Sequence, residues 1–237
     1  MKPLGTKAYG SIPHLPGSRR GPGDHGISEQ QAKILTEKTR DRHDVVFVEE
    51  KLDGSNVAVA KVDGKIVALT RSGYEASTSP YEQHHLFGEW VRDREETFQL
   101  LLGERERISG EWLALAHGTR YFGVTRESVF APFDIFGADG KRFSRSAFEA
   151  ACGDWFMLPA RIHWGGTAIG IEQAYRLAGQ CQSRNIATGE DPEGIVYRVE
   201  RKGVVDFLAK WVKPGKEDGR YLSSVTGAPD VWNWRPR

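Results

Sequence analysis

The stretch Glu49-Glu50-Lys51-Leu52-Asp53-Gly54-Ser55-Asn56 lies between two strand-like runs. Val45-Val46-Phe47-Val48, apolar and β-branched, leads into it, and Val57-Ala58-Val59-Ala60 leaves it. Runs of this kind bounded by turn residues read as strands, and Asp53-Gly54 is a turn pair. Lys51 therefore falls where one strand ends, at a tight corner before the next begins. A lysine among carboxylates reads, taken alone, as a solvated ion pair. At a corner between two strands it is also a candidate for chemistry.

Downstream, residues 55–62 and 65–71 form a predicted hairpin around Asp63-Gly64, a favoured two-residue turn. Pro80 precedes a predicted helix over residues 81–102, on which Leu86, Trp90, Phe98, Leu101 and Leu102 share a face. Residues 106–115 and 128–136 have strand character, and Ala138-Asp139-Gly140 is a turn. Ser144 caps a short predicted helix through Cys152, residues 171–180 read as helix, and residues 194–201 and 204–212 form a second hairpin around Lys202-Gly203. Upstream, residues 1–30 are rich in Gly and Pro, which excludes a long helix or central strand. They form either a flexible arm or an ordered one whose His14, Ser18 and Arg19 reach a phosphate. Ser28 is a predicted N-cap for a helix to about Arg40.

Hairpins interleaved with helices imply an α+β fold of mostly antiparallel sheets with flanking helices, not a doubly wound parallel sheet. No internal repeat is present. The expected organisation is an arm (1–30), a catalytic domain (31–215) and a tail (216–237).

The 237 residues are 39% hydrophobic, enough for one large core, and the net charge is +1. That balance calls for no nucleic-acid partner, so a nucleic-acid enzyme here needs a local basic face. Cys152 and Cys181 fit neither a disulfide framework nor a zinc site. No apolar run approaches about 18 residues and no signal-peptide pattern opens the chain, so the expected setting is cytoplasmic, with no membrane partner.

The run at Lys51 matches Lys-x-Asp-Gly, and five further patches follow it: Arg71-Ser72-Gly73, Gly110-Glu111-Trp112, Phe133-Asp134-Ile135, Glu193-Gly194-Ile195-Val196 and Lys210-Trp211-Val212-Lys213. In this order, each on or beside a predicted strand, they resemble the motifs of the covalent nucleotidyltransferases: polynucleotide ligases and mRNA capping enzymes. The resemblance spans residues 45–215. Gly54-Ser55-Asn56 resembles the RNA ligase branch, of the RNA ligase 2 type; DNA ligases more often carry Gly-Glu-Arg there.

The resemblance implies two antiparallel sheets with a nucleotide cleft between them. It also implies ATP as the nucleotide, AMP carried covalently on Lys51, and Mg²⁺ or Mn²⁺ held by Glu193. RNA with 5′-phosphate and 3′-hydroxyl ends is the implied substrate, and a separate end-healing kinase or phosphatase an expected partner. Catalytic roles fall to Lys51, Lys210 and Lys213. Asp53, Gly54, Asn56, Arg71, Glu111, Phe133 and Glu193 line the nucleotide, with Phe133 on the adenine, Glu111 on a ribose hydroxyl and Arg71 on the 5′-phosphate of the acceptor.

Two departures stand out. The family spaces its last lysines as Lys-x-Lys, whereas Lys210 and Lys213 are three apart and on a strand would face opposite ways. No room for an OB-fold domain is expected in this chain. The alternatives are a minimal DNA ligase, a GTP-using capping enzyme, and a non-catalytic module that binds nucleotides or RNA ends.

Elementary chemistry sets what such a site must do. A free lysine, with a pKa of about 10.4, is protonated at neutral pH and cannot attack phosphorus. Nearby cations and desolvation lower that value, so Lys210 and Lys213 are expected to act on Lys51 in this way. Composition alone assigns Phe133 to a core and leaves Glu111, Glu193 and Arg71 on the surface. His84-His85 is no metal pair, because adjacent residues do not share a helix face. His117 falls in a loop after the Glu111 strand, where it borders the nucleotide site or stays on the surface. Trp232 and Trp234 either stack on bases or dock the tail on the body.

Overall fold

A computed structural model describes residues 1–180 and 189–236. Cys181 lies outside the described residues. Strands β1 (Asp44–Lys51) and β2 (Ser55–Val62) flank the Leu52-Asp53-Gly54 corner. β2 returns through Asp63-Gly64 as β3 (Lys65–Thr70), and both turn residues are left-handed (φ 51° and 72°), as a two-residue turn matched to strand twist requires. β4 (Arg107–Trp112) and β5 (Phe130–Phe136) complete a sheet of order β3-β2-β4-β5. β6 (Arg161–Gly166), β7 (Gly194–Arg201) and β8 (Val204–Val212) join β1 in a second sheet, β6-β1-β7-β8. Every pairing within both sheets is antiparallel. The architecture is the α+β one expected, and the corner after Lys51 is where the chain crosses from one sheet to the other.

Each sheet buries one face under helices. Val57, Val59, Ile108, Trp112, Phe130 and Ile135 pack against Phe87 and Trp90 of α2 (Glu82–Arg92), Phe98 of α3 (Glu95–Leu101) and Phe148 of α4 (Arg145–Cys152). Val46, Val48, Ile195, Tyr197 and Val199 pack against α1 (Glu29–Thr36) and α5 (Ile171–Ala178). A short α6 (Ser223–Thr226) lies in the tail.

The predicted helix over 81–102 is two helices. The chain bends at Asp93-Arg94, so that Trp90 and Phe98, rings 6.0 Å apart, enter one core from both segments. α1 is capped by Ser28 and Gln31 as a capping box, but it stops at Thr36, four residues before Arg40. Arg40 instead binds Asp44 at the start of β1 through Nε, 2.8 Å away.

The Gly/Pro-rich arm wraps the body. Leu4 and Ala8 cover the second face of β2 at Ala58 and Ala60, which accounts for the alternation of Val and Ala along that strand. Farther on, the arm runs beside β8: Lys210 N–H donates to the Pro13 carbonyl (2.9 Å) and Leu15 N–H to the Lys210 carbonyl (2.8 Å). The tail docks as well. Asn233 Nδ2 donates to the Leu113 carbonyl (2.8 Å), Asn233 Oδ1 accepts from Tyr121 N–H (3.0 Å), and Trp234 packs edge-on to Trp112.

Candidate active site

A cavity of about 730 Å³ opens between the sheets. Strand register places its chemistry. Lys51, last in β1, pairs with Gly194, so Glu193 lies immediately before β7 beside it. Asn56 on β2 pairs with Glu111 on β4. Lys210 on β8 pairs with Val196. Phe133 is the unpaired residue of a bulge in β5, since Ser109 faces Asp134 and Gly110 faces Pro132. The bulge breaks the strand's alternation and presents the ring to the cavity. Gly54 starts the crossing within van der Waals range of β4: a Cβ there would lie 2.5 Å from the Trp112 carbonyl.

Lys51 Nζ is 2.7 Å from Glu193 Oε2. Burial pushes the Lys51 ammonium toward losing its proton, but the carboxylates of Glu193, Glu111 and Asp53 outweigh it and hold the pKa above that of an ordinary lysine. The expectation that neighbouring cations leave Lys51 deprotonated is thereby reversed: in this state carboxylates dominate. Burial raises Glu111 to about 7 against the pull of Lys51, with Glu193 and Asp53 adding to the rise. Glu111 Oε1 accepts from Gly54 N–H at 3.0 Å. Burial, then Lys51, lowers Lys210.

Lys51, Asp53, Gly54, Asn56, Arg71, Glu111, Phe133 and Lys210 all line the cavity. Asn56 Oδ1 is buried there with no hydrogen-bond partner among the described residues. Glu193 sits just behind Lys51. Lys213 is not brought in: its Nζ donates outward to the Asp191 carbonyl, 2.9 Å away. Lys216 takes the inward place. Its Nζ is 2.5 Å from Asp53 Oδ2 and 3.2 Å from Glu193 Oε1, with the side chain 2% exposed. Gly118 leaves it room and donates its N–H to Asp53 Oδ2 (2.9 Å).

His14, Ser18 and Arg19 do not reach the cavity. His14 bonds Ser18 Oγ (2.7 Å) and Asp24, Ser18 Oγ accepts from Val212 N–H, and Arg19 pairs with Asp218. Lys7, Tyr9 and Ser11 of the arm line the cavity instead. His84 and His85 both turn to Ser79. His117 faces the cavity near Ser55 and Gln83.

The model of the RNA ligase family matches residues 44–212, from the first residue of β1 to the last of β8. This chain belongs to the RNA ligase family. Two structures of Naegleria gruberi RNA ligase mutants, each with ATP and Mn, resemble it in fold. One has a TM-score of 0.53 at 17% identity, covering 85% of this chain and 59% of that one. The other has a TM-score of 0.51 at 18% identity, covering 85% and 58%. This family member thus spans under two thirds of those ligases. A 31-residue segment is 58% identical to the uncharacterized protein MJ0414 of Methanocaldococcus jannaschii, covering 13% of this chain and 8% of that protein.

Beneath the cavity of this RNA ligase family member the two sheets are tied by buried charge. Asp134 on β5 accepts from Tyr9 Oη (2.8 Å), from Arg142 Nε (3.0 Å) and from Arg198 on β7. Arg145, fully buried, pairs with Glu49 of β1, and its N–H donates to Glu200. Single-strand patterns gave no sign of this network, because its members come from five separate segments. Lys216 carried one readable signal, since Lys213-Pro214-Gly215-Lys216 is a turn sequence with Pro second and Gly third. Gly215 is left-handed at φ 77°, and the turn sends the chain back toward Asp53.

Proposed function

We propose that this chain catalyses ATP-dependent RNA ligation through AMP bound covalently to Lys51, sealing a 5′-phosphate to a 3′-hydroxyl. The observation that carries the reading is Lys51: an ammonium at the floor of a nucleotide-sized cavity, 2.7 Å from Glu193. In the first step Lys51 Nζ attacks the α-phosphorus and pyrophosphate leaves. The AMP then passes to an RNA 5′-phosphate, and a 3′-hydroxyl displaces it. Lys51 must first give up both its proton and its ion pair. Lys216 stays on Glu193 Oε1 when it does, so the buried carboxylate keeps one cation. Lys210 repels the proton on Lys51 and faces the α-phosphate. Ile12, Phe133, Val196 and Leu208 supply an apolar lining for a base. Under this reading Glu111 holds a ribose hydroxyl and Asn56, whose Oδ1 has no partner among the described residues, takes a nucleotide donor.

The donor chemistry fits a divalent cation. Glu193 offers hard carboxylate oxygens, now occupied by two ammonium groups that an Mg²⁺ or Mn²⁺ ion would replace in part. Among the described residues no group of three or more His, Cys, Asp or Glu is placed to hold a metal, so water and phosphate would complete the shell. Such an ion supplies charge stabilisation for phosphoryl and pyrophosphate oxygens. Among the described residues no helix is long and apolar enough to cross a membrane.

The test is intact-mass measurement after incubation with ATP or GTP and Mg²⁺. The expected result is one adduct of AMP mass, stable to base, labile to acid and absent in Lys51→Ala. A GMP adduct would point to a capping enzyme, and no adduct to a binding module. An AMP adduct that persists in Lys51→Ala would refute the assignment of the nucleophile.

A further inference from the structure

Lys210 faces the α-phosphate in the reading above, and that role needs an ammonium ion. Its surroundings oppose one. Burial, and after it Lys51, pulls the Lys210 pKa below that of an ordinary lysine, and Arg71 adds to the pull. Two carboxylates work against them: Asp24 of the arm and, with less effect, Glu193. Asp24 lies before residue 44, outside the span that matches the family.

The backbone brings Asp24 to this place. The arm adds a short parallel strand to the β8 edge, in which His14 pairs with Lys210 on one side and with Gly26 on the other. Lys210 N–H donates to the Pro13 carbonyl and Leu15 N–H to the Lys210 carbonyl, which fixes the register. Partners in a ladder turn their side chains to one face, so His14 stands beside Lys210. The chain then turns back on itself. Gly21 N–H donates to Asp24 Oδ2 at 2.9 Å, and His14 Nε2 lies 3.1 Å from the same oxygen. On the far side of the ring, Nδ1 is 2.7 Å from Ser18 Oγ. An ionised carboxylate only accepts, so the ring proton belongs on Nε2 and Nδ1 accepts from the Ser18 hydroxyl. The charged groups that bear on His14 are Lys210 of β8 and Asp24 and Arg20 of the arm. Burial, then Lys210, holds its pKa below that of an ordinary imidazole, so at neutral pH the ring is uncharged and does not cancel the carboxylate. The Gly21 N–H, with help from Lys210, holds the Asp24 carboxyl below its usual range.

We infer that Asp24, held by His14 and the Gly21 N–H, is the counter-charge that keeps Lys210 an ammonium ion at the α-phosphate. The inference rests on the role given to Lys210 in the lysyl-AMP reading. A carboxylate in direct contact would occupy the donors of the ammonium and compete with phosphate. Among the described residues Asp24 pairs with His14 and not with Lys210. Set behind the imidazole, it supports the charge through space and leaves the donors free. Asp24 touches no substrate and is therefore a positioning residue.

Asp24→Asn removes the charge but keeps the size and an acceptor for Gly21 N–H, and its unfolding midpoint shows that it folds. Trace acetylation with acetic anhydride across a pH series, counted by peptide mass spectrometry, follows the titration of Lys210 without ATP. Lys210 is expected to titrate about one pH unit lower in Asp24→Asn than in wild type, the low end for loss of a nearby opposite charge. Lys213 should not move. A purely structural role predicts the opposite sign, because a loosened arm admits water to Lys210 and raises its pKa. An upward shift or none would overturn the inference. His14→Gln leaves Asp24 charged but unheld and should move Lys210 downward by less; no movement would remove His14 from the device. In adduct formation with ATP, the alkaline limb of the pH profile should move down with Lys210 in Asp24→Asn. If the wild type forms no adduct, the lysyl-AMP reading fails by itself, and the acetylation series still decides the counter-charge.

Discussion

Lys210, Lys213 and Lys216 lie within seven residues of one another, and the structure gives each a different setting. Lys216 is buried between two carboxylates, so Lys216→Met removes the ion pair of Asp53 and one of the two on Glu193. It should destabilise by about 3–5 kcal/mol, the range for breaking a buried pair, in urea unfolding. Lys213→Met, at a half-buried site with one bond to the Asp191 carbonyl, should cost far less, about 1 kcal/mol or below. Lys210→Ala should slow adduct formation and move its pH optimum upward. Lys51 lowers the Lys210 pKa, so by reciprocity Lys210 lowers that of Lys51, and removing it leaves a lysine harder to deprotonate. An unchanged optimum would put Lys210 out of contact with the nucleophile. Glu111 has its folded pKa raised to about 7, facing Lys51, Glu193 and Asp53. Its contribution to stability is therefore complete below the pKa of an unfolded glutamate and is lost as pH rises through about 7. Glu111→Gln should remove that slope, so the difference in melting temperature between variant and wild type grows in favour of Gln from pH 5 to pH 8. Much of the site was legible because strand register fixes Lys51, Glu111 and Lys210. Lys216 was not, because spacing along a strand says nothing about a turn that doubles back.

Elements show a similar division. The hairpins at Asp63-Gly64 and Lys202-Gly203 were readable, since short-range turn chemistry decides them. β6 was not: it is an edge strand with irregular register against β1 and a burial pattern without alternation. The break between α2 and α3 was hidden because both pieces carry the same apolar face. The arm and the tail carry no periodicity, yet both dock through backbone hydrogen bonds that composition does not reveal. Asn233→Ala loses two side-chain bonds to backbone at the tail and should cost about 1–3 kcal/mol in denaturant unfolding. Gly73→Ala introduces strain at φ 89° and a collision with Thr6. Limited proteolysis should then cut within residues 1–12 faster than in wild type while the remainder resists. Equal resistance would mean that the arm yields without leaving.

At the scale of the molecule, two sheets share a cavity and are held in register by buried charge under it. Arg198→Met leaves Asp134 with less than its native set of donors and should destabilise by about 3–5 kcal/mol, read from the unfolding midpoint. Recognition of a 2′-hydroxyl would favour nicks whose 3′-hydroxyl end is RNA. Rates of sealing on nicks that differ only there check it, and equal rates with DNA ends would favour the DNA ligase alternative. The arm has a consequence for the order in which the molecule is made. It is made before both sheets, and its partners on β8 follow almost two hundred residues later, as with Ser18 and Val212, 194 positions apart. Closing so long a loop is slow relative to local hairpins. The nascent chain therefore holds the β3-β2-β4-β5 sheet before it holds a closed cavity, and in pulse-labelled hydrogen exchange the amides of Leu15 and Val212 should gain protection after those of that sheet.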